Sequence, residues 1–329
     1  MARNVRVASS SPEEGGNIGL HRFALFTACS TAFLIFAGGL VTSTESGLAV
    51  PDWPLSYGMF FPPMVGGIFY EHGHRMVASF VGLLTVILTI WICLKETRAW
   101  VRWLSVGAFV AVLAQGILGG LTVRYLLPTS ISMTHACLAQ TFFCLTIGLA
   151  TFTSPWWKRG FPIIKERHET LRLPTLCAFT TGVIYFQLIL GALMRHTDSG
   201  LAIPDFPLAF GRIIPSFTSN NVTIHFAHRL GALAVTTMIV WTYLRIRRHY
   251  AEHPLLQRPG AVMLSLVCVQ LTLGAFTIWT AKSVMVTTFH VVTGALVLGS
   301  SLVLTLRAFN IVRDRKPAAV YPIREAAWQ

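Results

Sequence analysis

Four of the chain's eleven histidines, His74, His135, His228 and His290, stand out by their spacing. They form two matched pairs: His74-Arg75 lines up with His228-Arg229, and His135 with His290. Paired imidazoles facing each other across a helix bundle are what a six-coordinate haem iron needs as axial ligands. The bland alternative is a hydrogen-bonded core histidine, but ionisable groups at membrane depth are costly and usually functional. A bare zinc or copper site fits less well, because no carboxylate or thiol cluster completes tetrahedral or planar coordination.

The neighbours of these histidines carry further chemistry. Arg75 and Arg229 each follow a histidine directly, and a buried arginine needs an anion. A haem propionate would supply one with bidentate geometry; the other reading is that each arginine snorkels to the headgroups. Three residues before the histidine the halves diverge, with Glu71 in the first and His225 in the second. Glu71 and His74 at i, i+3 share a helix face, so the carboxyl group is expected to point into the first haem pocket. Such a difference predicts a division of labour: chemistry at the first site, a permanent cofactor at the second. A solvated or headgroup-facing Glu71 is the competing reading.

The elements that must position these residues are apolar helices. Of the 329 residues 53% are hydrophobic and only 12% charged, with a mean hydropathy of +0.61; a soluble domain carries about 25% charged residues. That excludes a soluble enzyme, a disordered chain and a disulfide scaffold. Apolar runs at about 23–41, 68–94, 100–122, 132–153, 173–194, 222–244, 260–280 and 284–306 each approach the ~20 residues that cross a bilayer core. Eight membrane helices are predicted.

The net charge of +13 is a topology signal. The N-terminus, the segment near 95–102, the run 154–172, the run 245–258 and the C-terminal tail hold twenty basic residues. The opposite connections hold four: Arg124, Arg195, Arg212 and Lys282. Basic residues collect on the cytoplasmic side, so both termini are expected there, and no nucleic-acid partner is expected. Glu13 and Glu14 follow the early arginines and no small-residue cleavage site follows the first apolar run, which predicts an uncleaved first helix. Without an Arg/Ser-rich presequence, the inner (cytoplasmic) membrane of a bacterial cell is expected. The six cysteines lie within apolar runs with no C-x-x-C pairing and read as small apolar fillers.

Internal repetition organises the chain. Residues 46–58 read SGLAVPDWPLSYG and residues 199–211 read SGLAIPDFPLAFG, identical at nine of thirteen positions. Gln115 aligns with Gln270 and Gly119 with Gly274. Each half holds four helices and starts on the same side, so the repeats are parallel, related by an axis along the membrane normal. The expected architecture is an all-α membrane protein of two four-helix bundles. Residues 1–153 form the first bundle, expected to carry the chemistry, 154–172 a cytoplasmic linker, and 173–329 the second bundle, expected to hold the permanent cofactor. The long loops after the first and fifth helices are turn-rich and would lie over the outer end of each bundle. Asp52 and Asp205 within them are expected to cap turns, the other reading being contact with a ligand.

The E-x-x-H-R of the second helix, the S-G-L-A-x-P-D-W-P loop and the four repeated histidines together resemble the haem A synthase (CtaA/Cox15) family, over about residues 22–306. The resemblance implies oxidation of the C8 methyl of haem O to a formyl group, giving haem A for cytochrome oxidase assembly. It implies that His74 and His135 ligate the substrate haem, that His228 and His290 ligate haem b, and that Glu71 is the catalytic carboxylate. A haem O synthase and an unidentified electron donor are the implied partners. Many bacterial members carry a cysteine pair in the first outer loop; here Val50 and Ser56 stand instead, so no loop disulfide is expected. Two rival classes are a di-haem b-type electron-transfer cytochrome and a parallel-repeat transporter. The first leaves the Glu71/His225 difference unexplained. The second needs polar residues through the helix centres, where Gln115, Gln140, Gln187 and Gln270 are nearly all there is.

Overall fold

The structure, a computed structural model, describes residues 17–160, 163–166 and 171–314, with only the backbone of 165, 166, 313 and 314. Arg3, Arg6, Arg167, His168, Arg315, Lys316 and Arg324, which entered the reading of charge and histidines, lie outside the described residues.

Among the described residues eight helices are long and apolar enough to cross a membrane. They are α1 (Ile18–Ser43), α2 (Gly66–Lys95), α3 (Ala99–Arg124), α4 (Thr129–Thr153), α6 (Leu173–His196), α7 (Asn220–His249), α8 (Pro254–Trp279) and α9 (Val284–Ile311). The chain is a multi-pass membrane protein. Local chemistry sets several starts: Asn17 accepts the Leu20 amide at 3.1 Å to cap α1, and Pro174 and Pro254 open α6 and α8, where a missing N–H costs nothing. The tight α3–α4 and α8–α9 turns use left-handed residues at matching places, Leu126-Leu127 and Ala281-Lys282.

Helices α1–α4 close a ring, with α1 against α2 and α4, and α3 against α2 and α4; α6–α9 close a second ring in the same order. Each ring has its own apolar core, with Val81, Leu88 and Phe142 in the first and Ile239, Met263 and Leu298 in the second. The rings meet where α1 and α4 pack on α9, around Ile35, Phe143 and Ala295. Close approach there depends on small residues, as usual between membrane helices: a Cβ on Gly299 would come within 2.7 Å of the Ile147 side chain. Large apolar side chains face outward instead, Trp103 at 73% exposure and Leu233 at 64%, as expected where lipid is the solvent.

The 154–172 connection holds two small elements that the apolar pattern did not signal. Ser154 caps the one-turn helix α5 (Pro155–Arg159) by accepting the Trp157 amide, and β1 (Ile164–Glu166) pairs in parallel with β2 (Val312–Asp314). At this end Glu96 is buried and bonded by both Arg98 and Lys158 at 2.9 Å, and Arg98 also donates to the Phe152 carbonyl. Burial alone would raise the Glu96 carboxyl, but the hydrogen bonds from Arg98 and Lys158 hold it down, at about 2.

Candidate functional site

The two long loops, 44–65 and 197–219, fold alike at the ends of their rings opposite the α2–α3 and α7–α8 turns. Asp52 accepts the Tyr57 and Gly58 amides at 2.6 and 2.8 Å, and Asp205 accepts those of Phe210 and Gly211 at 2.7 and 2.8 Å. These bonds hold both carboxyls below the usual aspartate range and make both residues turn-formers. Ser56 bridges to Met59 and Ala209 to Arg212 in matching β-bridges.

Each loop is tied to the helix that follows it by an arginine. Arg75 donates to the carbonyls of Asp52 (2.7 Å), Leu55 (2.9 Å) and Val50 (3.4 Å). Arg229 repeats this with Asp205 (2.7 Å), Leu208 (2.8 Å) and Ile203 (3.2 Å). Neither arginine reaches out as a snorkelling side chain would; both brace a loop. Arg229 keeps a buried Nε with no partner.

At the diverging position the two halves solve one problem differently. The Glu71 carboxylate accepts the Val50 amide at 2.8 Å through Oε2 and the Arg75 guanidinium at 2.6 Å through Oε1. In the second half the Ile203 amide donates to His225 Nδ1 at 3.2 Å. Glu71 therefore lies one helical turn from His74, at 4% exposure, with its carboxylate turned up under the loop.

The four repeated histidines sit in the helices that run away from the loops. His74 and His135 lie within electrostatic reach of each other in the first ring, as do His228 and His290 in the second. Each packs against a glycine of the neighbouring helix: a Cβ on Gly38 would stand 3.1 Å from the His74 ring, on Gly119 3.5 Å from His135, and on Gly191 and Gly274 3.2 Å from His228 and His290. Glutamines attend them. Gln115 donates to the His135 carbonyl and Gln187 to that of His228, both at 2.8 Å, and Gln270 lies 3.4 Å from His290 Nε2. The mid-helix glutamines of the sequence are thus mostly companions of histidines.

The residues present fit a haem. Nδ1 of His74, His135 and His290 is buried without a hydrogen-bond partner, an expensive state unless something else engages the ring. Among the described residues no group of three or more His, Cys, Asp or Glu side chains could hold a bare metal ion. Two imidazoles per ring suffice only where a macrocycle supplies the remaining ligands.

Sequence reasoning missed one pair. His72 is buried and bonded to Ser56 across 2.8 Å (Oγ to Nδ1), with its Nε2 unpartnered. The second half has Ala209 and Phe226 at these places. That simultaneous change across the repeat was the available signal. His196 uses its carbonyl to accept from Thr129, linking α6 to α4. The cysteines are not uniformly fillers: Cys177 is buried, whereas Cys29, Cys93 and Cys268 are exposed on outward helix faces.

A pair of buried imidazoles within each four-helix ring, beneath a braced loop, marks a helical membrane protein with two like sites. The chain belongs to the COX15-CtaA family of cytochrome oxidase assembly proteins, whose sequence profile matches residues 65–302. It is 31% identical to a Heme A synthase of Halalkalibacterium halodurans over 82% of this chain and 90% of that one. To a Heme A synthase of Geobacillus kaustophilus it is 27% identical over 93% and 96%, and to one of Symbiobacterium thermophilum 31% over 75% and 82%.

Proposed function

We propose that the chain is a haem A synthase, an oxidoreductase that converts the C8 methyl of haem O to a formyl group for cytochrome oxidase assembly. The observation that carries this reading is the Glu71/His225 difference: one loop amide, held in one half by a carboxylate and in the other by an imidazole. An electron-transfer protein with two equivalent haems has no use for that difference. Residues 1–153 form the substrate half, with haem O between His74 and His135. Residues 173–329 hold a resident haem b between His228 and His290, with 154–172 joining the two.

Bound haem iron supplies the redox chemistry; the chain's own residues orient the substrate and manage protons. His74 and His135 fix the substrate ring in depth and plane. Glu71, one turn from His74, is the side chain able to take a proton from the region of the reacting carbon, and Arg75 holds its carboxylate in place from the other side. The open Nε of Arg229 is a donor for a propionate of the resident haem. Substrate comes from a haem O synthase in the same bilayer, and electrons pass to or from a partner not yet identified. The setting is the bacterial cytoplasmic membrane, with both termini inside.

The test is haem extraction and mass spectrometry of membranes in which the chain is produced together with a haem O synthase. Haem A should appear alongside haem B and residual haem O. Membranes holding the intact chain with haem O and haem B but no haem A would overturn the assignment in favour of a di-haem b-type cytochrome.

A further inference from the structure

The end of the bundle that carries α5 is electrically unequal between the two rings. In the register that aligns His135 with His290, Phe152 stands where the second half has Arg307, Trp100 where it has Leu255, and Trp103 where it has Arg258. In the first ring Phe152 meets Trp100 and Trp157 edge to face, with ring centroids 4.8 and 5.0 Å away. In the second, the Arg307 guanidinium donates to the Leu255 carbonyl at 3.1 Å and lies over the Trp156 ring at 5.0 Å. The adjacent tryptophans of α5 thus divide between the rings, Trp157 to an apolar partner and Trp156 to a cation.

Arg307 has a neighbour of its own sign. Arg258, exposed in the first turn of α8, lies within electrostatic reach of it, and the positive end of the α8 dipole adds to the same field. In the first ring Arg98 and Lys158 close on the buried Glu96 carboxylate. Among the described residues Arg307 and Arg258 form no ion pair, and Glu252 of the α7–α8 turn pairs with neither. The Arg307 Nε is buried without a hydrogen-bond partner. A partly buried guanidinium with an unused donor, beside a second cation, is costly unless an anion joins them.

The setting says which anion. Arg307 lies one turn before the end of α9 at Ile311, and α8 begins at Pro254, so both arginines stand where apolar spans reach the membrane surface. Further along the same face of α8, Val262 and Val269 are exposed, in a span whose solvent is lipid. A ligand whose anionic group meets the two guanidiniums therefore has a helix face along which an acyl chain can lie. A free ion would leave that face unused. Basic pockets between membrane helices take acidic lipid headgroups, and a guanidinium grips a phosphate through two donors.

We propose that Arg307 and Arg258 form a binding site for the phosphate of an anionic phospholipid, with Trp156 as its wall on the linker side. The site is independent of the haem chemistry. The headgroup would sit where α5, α8 and α9 converge and so fasten the linker to the second ring.

The test is titration of the full-length protein in dodecyl maltoside with phosphatidylglycerol, bound lipid being counted by native mass spectrometry. Phosphatidylglycerol should bind about tenfold or more tighter than phosphatidylcholine, whose choline cation the two arginines repel. Arg258→Gln and Arg307→Gln should each weaken phosphatidylglycerol about tenfold or more, the worth of one charge-assisted hydrogen bond. Arg212→Gln, at an exposed arginine of the 197–219 loop, should leave it within about twofold. Arg258 is exposed, so its variant carries the test if Arg307→Gln fails to fold. Millimolar inorganic phosphate should not displace the lipid. Equal binding of the two lipids, unchanged binding in the arginine variants, an equal loss in Arg212→Gln, or displacement by inorganic phosphate would each overturn the lipid site.

Discussion

Glu71 and Val50 are joined by a 2.8 Å hydrogen bond from loop amide to carboxylate, so the residue read as catalytic is also the latch of the loop above it. Glu71→Gln keeps an acceptor for the Val50 amide but removes the salt bridge to Arg75 and the capacity to take a proton. The protein should insert, fold and bind haem in both rings, yet lose about 10²–10⁴ in turnover, the usual worth of acid–base catalysis. Turnover of haem O at a near wild-type rate would reduce Glu71 to the latch alone.

The two rings should answer differently to loss of their histidines. Replacing His228 or His290 with alanine is expected to remove the low-spin b-type spectrum. Replacing His74 or His135 should spare that spectrum and abolish turnover. Absorption spectra of the four purified variants decide this, and identical spectral loss from all four would mean one shared haem.

Ser56 and His72 offer a test that is independent of haem chemistry. Both are buried, at 1% and 6% exposure, so removing either partner leaves a polar group stranded. Ser56→Ala and His72→Phe should each cost about 1–3 kcal/mol. The double change reproduces the pairing found in the second half and should cost less than the two single losses added together. Thermal unfolding of the four proteins in detergent measures the coupling, and strict additivity would show that the contact contributes nothing.

The eight spans were legible because lipid demands long apolar runs, but their ends were not. Helix α7 continues to His249 through Arg245, Arg247 and Arg248, and α8 begins at Pro254, because helical hydrogen bonding continues past the apolar stretch. The linker's helix and strand pair went unseen for a related reason: Ser154-Pro155 is a capping signal only to an eye that is not following hydropathy, and β1 finds its partner nearly 150 residues away. At the site, the i, i+3 relation set Glu71 one turn from His74 on α2. The direction of its carboxylate depended on where the loop returned Val50, and no local periodicity encodes that. The Ser56–His72 contact needed the same loop path. The groups that repeat were readable from one half to the other; contacts made by only one half were not.

The orientation of the bundle follows from charge and can be checked without any haem. Twenty basic residues against four should place residue 60 outside and residue 165 in the cytoplasm. A phosphatase fusion at 60 and a fluorescent-protein fusion at 165 should both be active, and the reverse exchange of reporters should silence both. Activity in the exchanged pair would invert the topology.

Acid should loosen the end of the bundle where Glu96 ties the α2–α3 turn to α5. Glu96 is held at about 2, against an ordinary 4.5, by Arg98 and Lys158 despite its burial. Its depressed value means that the stabilisation from these bonds is fully present above about pH 4.5 and is lost as the pH falls through the folded value. Glu96→Gln, which cannot form the ion pairs, should therefore melt at a lower temperature than the parent protein at pH 7. The gap should narrow steadily between pH 4.5 and 2 as the parent's own carboxylate becomes protonated. Melting curves of both proteins at a series of pH values test this, and the sign is the diagnostic. A gap that widens on acidification, or that is absent at pH 7, would mean that Glu96 does not anchor α5 and the α2–α3 turn through Lys158 and Arg98.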